Sequence, residues 1–263
     1  MPPTEFAELN DSRRRAARAL LGMYKRANAG HIGSSLSCLE ILLDVFKRSG
    51  PDDQLILSKG HAAAGLYVAL ADAGRLDPQL LATFYQEGTL LAAHPPCSRQ
   101  LKSIPFGTGS LGHGLSLATG LALSQRFSGK NFHVYAVLSD GDCNEGSTWE
   151  AALFAAQHKL DRLTVIVDRN KLQGFGTTEE VIELEPFADK WRSFGFEVCV
   201  ASDGNDFASL DAAHRALGTG RPRCIVAQTT KGHGVSYMQN KMEWHYLPMS
   251  DEQYAQALAD TDA

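Results

Sequence analysis

Two residues that each follow a short apolar run have types and a spacing that suit metal chemistry. Asp140 and Asn170 lie thirty residues apart, about the length of one helical crossover between parallel strands, so their loops can face each other. An Asp carboxylate, an Asn amide oxygen and a loop carbonyl form a hard oxygen set that suits Mg²⁺ or Ca²⁺, with phosphate oxygens completing the shell. Gly141 lets the backbone approach a diphosphate, and a helix beginning at Ser147 can present its amides to an anion. The sequence therefore predicts a metal and diphosphate site.

Four of the nine histidines lie in local contexts that favour a chemical role. His31 and His61 each neighbour a glycine, His94 precedes a proline pair, and His245 follows a tryptophan. Because the unperturbed imidazole pKa lies near neutrality, such groups can remove and return protons at physiological pH. The remaining histidines are interpreted differently: His113 and His233 stay open, and structural or surface positions are expected for His133, His158 and His214.

Short apolar runs alternate with helical stretches along the chain. Strands are predicted at residues 55–57, 133–138, 163–167, 198–200 and 224–227, and helices at residues 11–28, 36–46, 114–127 and 147–158. Continuous apolar runs are typical of strands buried on both faces, and their alternation with helices indicates an α/β fold. We therefore predict one domain over residues 1–263, a doubly wound, mostly parallel sheet with helices on both faces. Ligands bind such folds at the carboxyl ends of the strands.

The composition excludes several classes of protein. The 263 residues are 44% hydrophobic, enough for one large buried core, and a net charge of -5 offers no basic excess for nucleic acid. The one basic run, residues 13–15, is expected to be a solvated helix face. No apolar stretch reaches the ~18 residues of a membrane span, and the N-terminus lacks the apolar segment of a signal peptide, so a cytoplasmic protein is predicted. Five scattered cysteines are expected to be reduced thiols.

Longer motifs place these residues in a family context. The order Asp140, Glu145-Gly146 and Asn170 resembles the thiamine diphosphate fingerprint of transketolases and their relatives. HIGSSLS at residues 31–37 and LSKGHA at residues 57–62 resemble the two histidine motifs of the transketolase N-terminal half. TGSLGHG at residues 108–114 resembles the loop that holds the aminopyrimidine ring, and residues 170–175 and 183–191 resemble two-polypeptide members. The chain is thus identified as a member of the transketolase family, resembling the N-terminal, thiamine-diphosphate-binding subunit of a split enzyme.

The resemblance implies a role for each matching position. Asp140 and Asn170 would bind Mg²⁺ through their side chains, and Leu172 would bind it through its carbonyl. The catalytic residues would be four histidines that converge over the thiazolium carbon: His31, His61, His94 and His245. Glu145 would point toward the other protomer and link two cofactor sites. The implied cofactor-binding residues are His61, Gly109, Ser110, Leu111, Gly141, Asp142, Glu145, Asn170, Lys231 and His245.

The resemblance also implies a partner. Complete transketolases carry a second, pyrimidine-binding domain, whose glutamate bonds the aminopyrimidine, and this chain ends soon after His245. A second subunit carrying that domain is therefore expected, with two copies of each chain and a site built across the interface. The implied activity is transfer of a two-carbon ketol unit from a ketose or its phosphate to an aldose or other carbonyl acceptor. Pentose phosphates, sulfo-sugars, apiose-type sugars and nucleotide-linked keto-sugars all stay open as substrates.

Two alternatives and several departures accompany this interpretation. The chain could belong to a 2-oxo acid dehydrogenase or decarboxylase, or it could be a non-catalytic binding protein that retains the fold. Ser139 stands where the family usually has glycine, Asn205 where histidine is frequent, and Arg169 where an aromatic or polar residue is common. The loop at residues 95–99 is also unusual, which favours a non-standard substrate because His94 precedes it.

Overall fold

The apolar runs form a single parallel sheet, as predicted. The computed structural model describes residues 1–261, and its strands are β1 (Gln54–Leu57), β2 (Val134–Ser139), β3 (Leu163–Arg169), β4 (Glu197–Ala201) and β5 (Arg223–Gln228). Their order is β1-β2-β3-β5-β4, and every neighbouring pair is parallel. All residues of β2 and β3 are buried, because helices cover both faces of the sheet. The predicted α/β class and strand set are confirmed.

Ten helices and four short 3₁₀ segments surround the sheet within the described residues. The helices are α1 (Pro3–Ala27), α2 (Ile32–Ser37), α3 (Leu39–Arg48), α4 (Ala63–Asp72), α5 (Gly114–Ser128), α6 (Gly146–Gln157), α7 (Thr178–Val181), α8 (Phe187–Ser193), α9 (Phe207–Ala216) and α10 (Asp251–Asp260). The 3₁₀ segments are Gly60–Ala62, Pro78–Thr83, Gly141–Asn144 and Met242–His245.

The two faces of the sheet carry separate apolar cores. Ile166 of β3 packs into a core shared with α1, α3, α4 and α9, whereas Val165 and Val167 pack into a core shared with α5, α6 and α8. Successive side chains of a strand point to opposite faces, so one strand supplies both cores. The doubly wound arrangement follows from this division.

Two predicted helices differ from the observed ones. The first begins at Pro3 rather than residue 11, because proline is well tolerated in the first turn of a helix, where its missing N–H has no partner to lose. The helix predicted at residues 36–46 is two helices, α2 and α3, separated at Cys38. Cys38 has φ -110° and ψ 12°, outside the helical range, so the helix is interrupted there. The first of the two helices, α2, begins earlier than predicted, at Ile32.

The prediction of a uniformly solvated basic run is wrong for one of its three arginines. The side chains of Arg14 and Arg15 are 59% and 64% exposed, but that of Arg13 is only 14% exposed and pairs with Glu40. Arg13 lies on the face of α1 that meets α3, whereas its two neighbours lie on the outer face. The five cysteines are free, as expected of reduced thiols. No helix within residues 1–261 is long and apolar enough to cross a membrane.

A pair of truncations tests the assignment of the central core. Ile166→Ala, at a fully buried position of the middle strand, should lower the free energy of unfolding of the isolated chain by about 2–5 kcal/mol, because it removes apolar contacts and leaves a cavity. Leu153→Ala on α6, where the side chain is 58% exposed, should change it by less than about 0.5 kcal/mol. Urea denaturation measures both, and equal losses in the two variants would contradict the assigned core.

Candidate active site

The loops that leave the carboxyl ends of the strands enclose one cleft. Its volume is about 270 Å³, and it opens between the loops that follow β1, β2, β3 and β5. Parallel strands bring their carboxyl ends to one edge of a sheet, which is why these loops meet. Most of the predicted site residues line this cleft: His31, His61, His94, Gly109, Leu111, Asp140, Gly141, Asn170, Leu172, Lys231 and His245.

Three predicted cofactor-binding residues lie elsewhere. Ser110 and Glu145 are exposed, and Glu145 precedes α6 on the outer surface. Asp142 is fully buried, and its carboxylate accepts hydrogen bonds from the backbone N–H of Gly112 (2.8 Å) and of Ser139 (2.7 Å), and from the Ser58 hydroxyl (2.5 Å). Asp142 therefore ties together three loops around the cleft rather than lining it.

The proposed metal ligands present oxygen atoms from two neighbouring loops. Asn170 donates from Nδ2 to the Ser37 hydroxyl (3.1 Å), and its Oδ1 accepts from the Leu172 N–H (3.0 Å), which leaves a second lone pair on this oxygen. Asp140 accepts from the N–H groups of Gly141 (3.0 Å) and Lys171 (2.8 Å), which fix the carboxylate. One carboxylate, one amide oxygen and one carbonyl suit a hard cation. Residues 1–261 contain no cluster of three or more His, Cys, Asp or Glu that could hold a metal.

The electrostatics of this donor set fit a bound cation and anion. Burial raises the pKa of Asp140 to about 6, and the nearby Asp168 carboxylate adds to this shift. Burial lowers the pKa of Lys231 to about 8, with Lys59 contributing. A metal ion near Asp140 would favour its ionised form, and a phosphate near Lys231 would favour its ammonium form. The donor set thus fits a metal bound together with a diphosphate.

A buried ion pair next to Asn170 was not predicted from the sequence. Lys59 and Asp168 are in direct contact, and both side chains are almost fully buried. Asp168 also accepts hydrogen bonds from the Ser37 hydroxyl (2.7 Å), from the Thr229 hydroxyl and from Nδ2 of Asn170 (3.3 Å). Burial alone would lower the Lys59 pKa, but the Asp168 carboxylate reverses this and leaves that pKa raised. Two features of the sequence could have indicated this pair. Asp168 directly follows the apolar run of β3, and Lys59 lies within the second histidine motif.

The four predicted catalytic histidines converge in space. The ring centre of His31 lies 5.6 Å from that of His61, 6.3 Å from that of His94 and 5.1 Å from that of His245. His31 has φ 74°, a left-handed conformation that is uncommon for a residue with a side chain, and its N–H donates to the His245 carbonyl (3.0 Å). Strained backbone of this kind is found preferentially at functional sites. His113 and His233 lie outside the cleft.

These imidazoles are held in the neutral form. Burial is the main cause of lowered pKa values for His31, His61 and His94, and nearby imidazoles or lysines add to it for His31 and His61. Burial and the Lys231 ammonium lower the pKa of His245 to about 3. Lys231 Nζ lies 3.0 Å from His245 Nδ1, and because an ammonium can only donate, Nδ1 accepts and Nε2 carries the proton. The cluster can therefore both accept and donate protons at neutral pH.

Aromatic side chains that sequence reasoning missed border the mouth of the cleft. The Tyr246 hydroxyl donates to the Gly174 carbonyl (2.8 Å), and Phe175 is 86% exposed. A Cβ at Gly174 would lie 2.3 Å from the Tyr246 oxygen, so glycine is needed for this approach. No sequence signal distinguished Tyr246 from an ordinary surface tyrosine.

A parallel α/β sheet that carries oxygen donors, a buried lysine and four imidazoles at its carboxyl edge fits a cofactor-binding domain of the thiamine diphosphate type. Residues 12–260 match the family model described as transketolase, thiamine diphosphate binding domain. The chain belongs to the transketolase family, as its thiamine-diphosphate-binding part. The predicted family and its enzyme class, a transketolase-type transferase, are confirmed, and the 2-oxo acid alternative is set aside.

Similar proteins include both separate subunits and complete enzymes. The chain is 36% identical over 268 residues to an apulose-4-phosphate transketolase subunit of Phocaeicola vulgatus, covering 97% of this chain and 94% of that protein. It is 37% identical to a 6-deoxy-6-sulfo-D-fructose transketolase subunit of a Clostridium species, covering 90% of each. The transketolase structure from Campylobacter jejuni superposes on 100% of this chain with a TM-score of 0.85 and 26% identity, but the match spans only 43% of that enzyme. The chain thus spans nearly the whole of the two relatives named as subunits and less than half of the complete enzyme.

The pH dependence of stability tests the neutral state of His245. Because the folded pKa of about 3 lies below the unfolded value of 6.5, this residue contributes stability above pH 6.5 that is lost as the pH falls toward 3. His245→Gln should therefore lose less free energy of unfolding than the wild type between pH 7 and pH 5, by at most about 2 kcal/mol before solvent screening. Urea denaturation measures this difference, and the two proteins should lose stability in parallel between pH 8 and pH 7. Identical losses between pH 7 and pH 5 would show that His245 is not held neutral.

Proposed function

We propose that this chain is the metal- and diphosphate-binding subunit of a two-chain transketolase that transfers a two-carbon ketol unit from a ketose phosphate to a carbonyl acceptor. The observation that carries the proposal is the convergence of four neutral imidazoles on the cleft that also contains Asp140 and Asn170. A metal–diphosphate site alone would fit several thiamine enzymes. Four imidazoles add proton acceptors and donors for the hydroxyl and aldehyde oxygens of sugars.

The residues present fit the cofactor and its metal. Thiamine diphosphate, when bound, supplies the electron sink that lets a carbon–carbon bond next to a ketone break. Asp140, Asn170 and the Leu172 carbonyl would hold Mg²⁺, with Ca²⁺ as a possible substitute, and Lys231 would neutralise a phosphate oxygen. A Cβ at Gly141 would lie 3.3 Å from Leu111, so glycine keeps the space beside the donor set open.

The imidazoles of this chain would move the protons. His245 has its Nδ1 committed to Lys231, so its Nε2–H, beside Gly174, donates to an oxygen in the cleft. His31, His61 and His94 remain as proton acceptors for the donor hydroxyl, and the proton returns to the acceptor aldehyde oxygen. Burial keeps these imidazoles uncharged before substrate arrives, which leaves one ring nitrogen of each as an acceptor for a hydroxyl hydrogen.

A second subunit would complete the site. The names of the two relatives, each a transketolase subunit, support such a partner. Phe127 on α5 and Leu153 and Phe154 on α6 are 84%, 58% and 41% exposed, and α5 packs against α6. Glu145 is exposed just before α6. We propose that this apolar surface and Glu145 face other chains in an assembly of two copies of each chain, burying more than ~2,000 Å².

The substrate would be a specialised ketose. Relatives with at least 36% identity are named for apulose 4-phosphate and for 6-deoxy-6-sulfo-D-fructose, rather than for pentose phosphates alone. The unusual loop at residues 95–99 follows His94 of the imidazole cluster, which supports a donor or acceptor of altered shape. A cytoplasmic location is part of the proposal, because sugar phosphates are cytoplasmic metabolites.

Reconstitution tests the proposed activity. The chain is mixed with the product of the adjacent reading frame, thiamine diphosphate and Mg²⁺, and ketol transfer is assayed from a panel of ketose phosphates, with 2-oxo acids as a control panel. Activity is expected only in the mixture and only with ketoses, because residues 12–260 match the thiamine diphosphate binding domain and the proposed partner would supply the pyrimidine-binding one. Activity of the chain alone would refute the two-chain assembly, and turnover of 2-oxo acids alone would refute the reaction class.

A single substitution tests the metal site. Asp140→Ala should abolish Mg²⁺-dependent binding of thiamine diphosphate, because it removes the only carboxylate of the donor set. Calorimetric titration of the mixture with and without Mg²⁺ measures this, and Asp52→Ala, at an exposed position, is the matched control. Unchanged cofactor affinity in the Asp140 variant would refute the metal assignment.

A further inference from the structure

We infer that Arg13, Glu40 and Asn205 form a positioning unit that holds the loop at residues 230–234 and thereby aims Lys231 at the diphosphate. The inference rests on the proposed function, since it assigns Lys231 to a diphosphate. None of the three residues lines the cleft. They come from α1, α3 and the loop after β4, and they meet behind the loop that carries Lys231.

The unit is built around a buried carboxylate. Glu40 is 1% exposed, and its Oε1 accepts from Arg13 Nε (2.9 Å) while its Oε2 accepts from Asn205 Nδ2 (3.0 Å). A buried carboxylate is retained only when it is paired and hydrogen-bonded, and here both oxygens are satisfied. His233 Nε2 lies 3.6 Å from Oε1, so the loop itself borders the carboxylate.

Two hydrogen bonds connect this unit to the backbone of the loop. The Thr230 N–H donates to Asn205 Oδ1 (2.8 Å), just before Lys231, and Arg13 Nη2 donates to the His233 carbonyl (3.3 Å), just after it. Asn205 uses both ends of its amide, because Nδ2 also donates to the Ser37 carbonyl (3.0 Å). The two bonds therefore fix the loop on either side of Lys231.

Two glycines of the loop show how closely neighbouring atoms pack against it. Gly234 has φ 80°, and a Cβ there would lie 1.9 Å from Arg13 Nη2. Gly232 has φ 75°, its N–H donates to the Gly33 carbonyl (3.0 Å), and a Cβ would lie 2.6 Å from the Met238 carbonyl. Both positions need a residue without a side chain, because the guanidinium and the neighbouring backbone occupy that space.

The result of this constraint is visible at Lys231. Its side chain is almost fully buried, and Nζ donates to the Leu172 carbonyl (3.2 Å) and to His245 Nδ1 (3.0 Å). One lysine thus joins a proposed metal-ligand loop to the imidazole cluster. A flexible lysine acts at a defined point only when its backbone is fixed, and supporting residues supply that rigidity. The unit supplies this rigidity even though Arg13 lies more than two hundred residues from Lys231 in the sequence.

The experiment is a double-mutant cycle on cofactor affinity in the full chain mixed with its second subunit. Arg13→Met should raise the Kd of thiamine diphosphate about tenfold, as loss of a supporting residue commonly does, and Lys231→Met should raise it at least as much. The double variant should be no weaker than Lys231→Met within about threefold, because both changes remove the same contact. Effects that multiply would overturn the inference, since they would show that Arg13 acts independently of Lys231.

Matched variants separate positioning from folding. Arg14→Met removes the neighbouring exposed arginine and should leave the Kd unchanged within about twofold. Asn205→Ala should weaken binding as Arg13→Met does, whereas Asn205→His should recover part of the loss, because a neutral imidazole supplies one donor and one acceptor where Asn205 uses two donors and one acceptor. Thermal melting identifies any variant that unfolds. Wild-type affinity in both Arg13→Met and Asn205→Ala would overturn this inference and leave the proposed function intact. Failure of the wild type to bind thiamine diphosphate would overturn both.

Discussion

The burial of Asp168 at the end of the central strand is the constraint on which the site depends. A carboxylate removed from water must be paired, and this one contacts Lys59, Ser37, Thr229 and Asn170. These partners come from α2 and from the loops after β1, β3 and β5, so one charge fixes the relative position of four segments. Breaking such a pair would leave an uncompensated buried charge, which makes the arrangement strongly preferred over looser alternatives.

The same carboxylate determines which atom of Asn170 is free. Because Asp168 and the Ser37 hydroxyl accept from Nδ2, the amide cannot turn, and Oδ1 is left for a cation. Asp142 acts similarly on the other side of the cleft, where it joins the loops after β1 and β2 to the glycine loop before α5. Two buried aspartates that do not line the cleft thus shape it.

Sequence reasoning predicted the local parts of this architecture and missed the long-range ones. The strands and the four histidines were found because apolar runs and glycine-bearing motifs are visible in short windows. Arg13 was misread as solvated because nothing in its neighbourhood shows that residue 40 lies opposite. Asp168 and Lys59 are separated by more than a hundred residues, and only the sheet order reveals that they meet. Asp142 was assigned by resemblance, and its contacts with three separate loops are again visible only in the folded chain.

The balance of buried charge explains why metal and diphosphate should bind together. Around the cleft, Asp140, Asp142 and Asp168 are opposed by Lys59, Arg169 and Lys231, all nearly fully buried. A dication alone would be repelled by the three cations, and a diphosphate alone would be repelled by the three carboxylates. Either one would therefore disturb a balanced set of charges in a medium of low dielectric. A metal diphosphate brings opposite charges that largely cancel. In the proposed site the metal would face Asp140 and the phosphates would face Lys231, so that charges of both signs would have a partner.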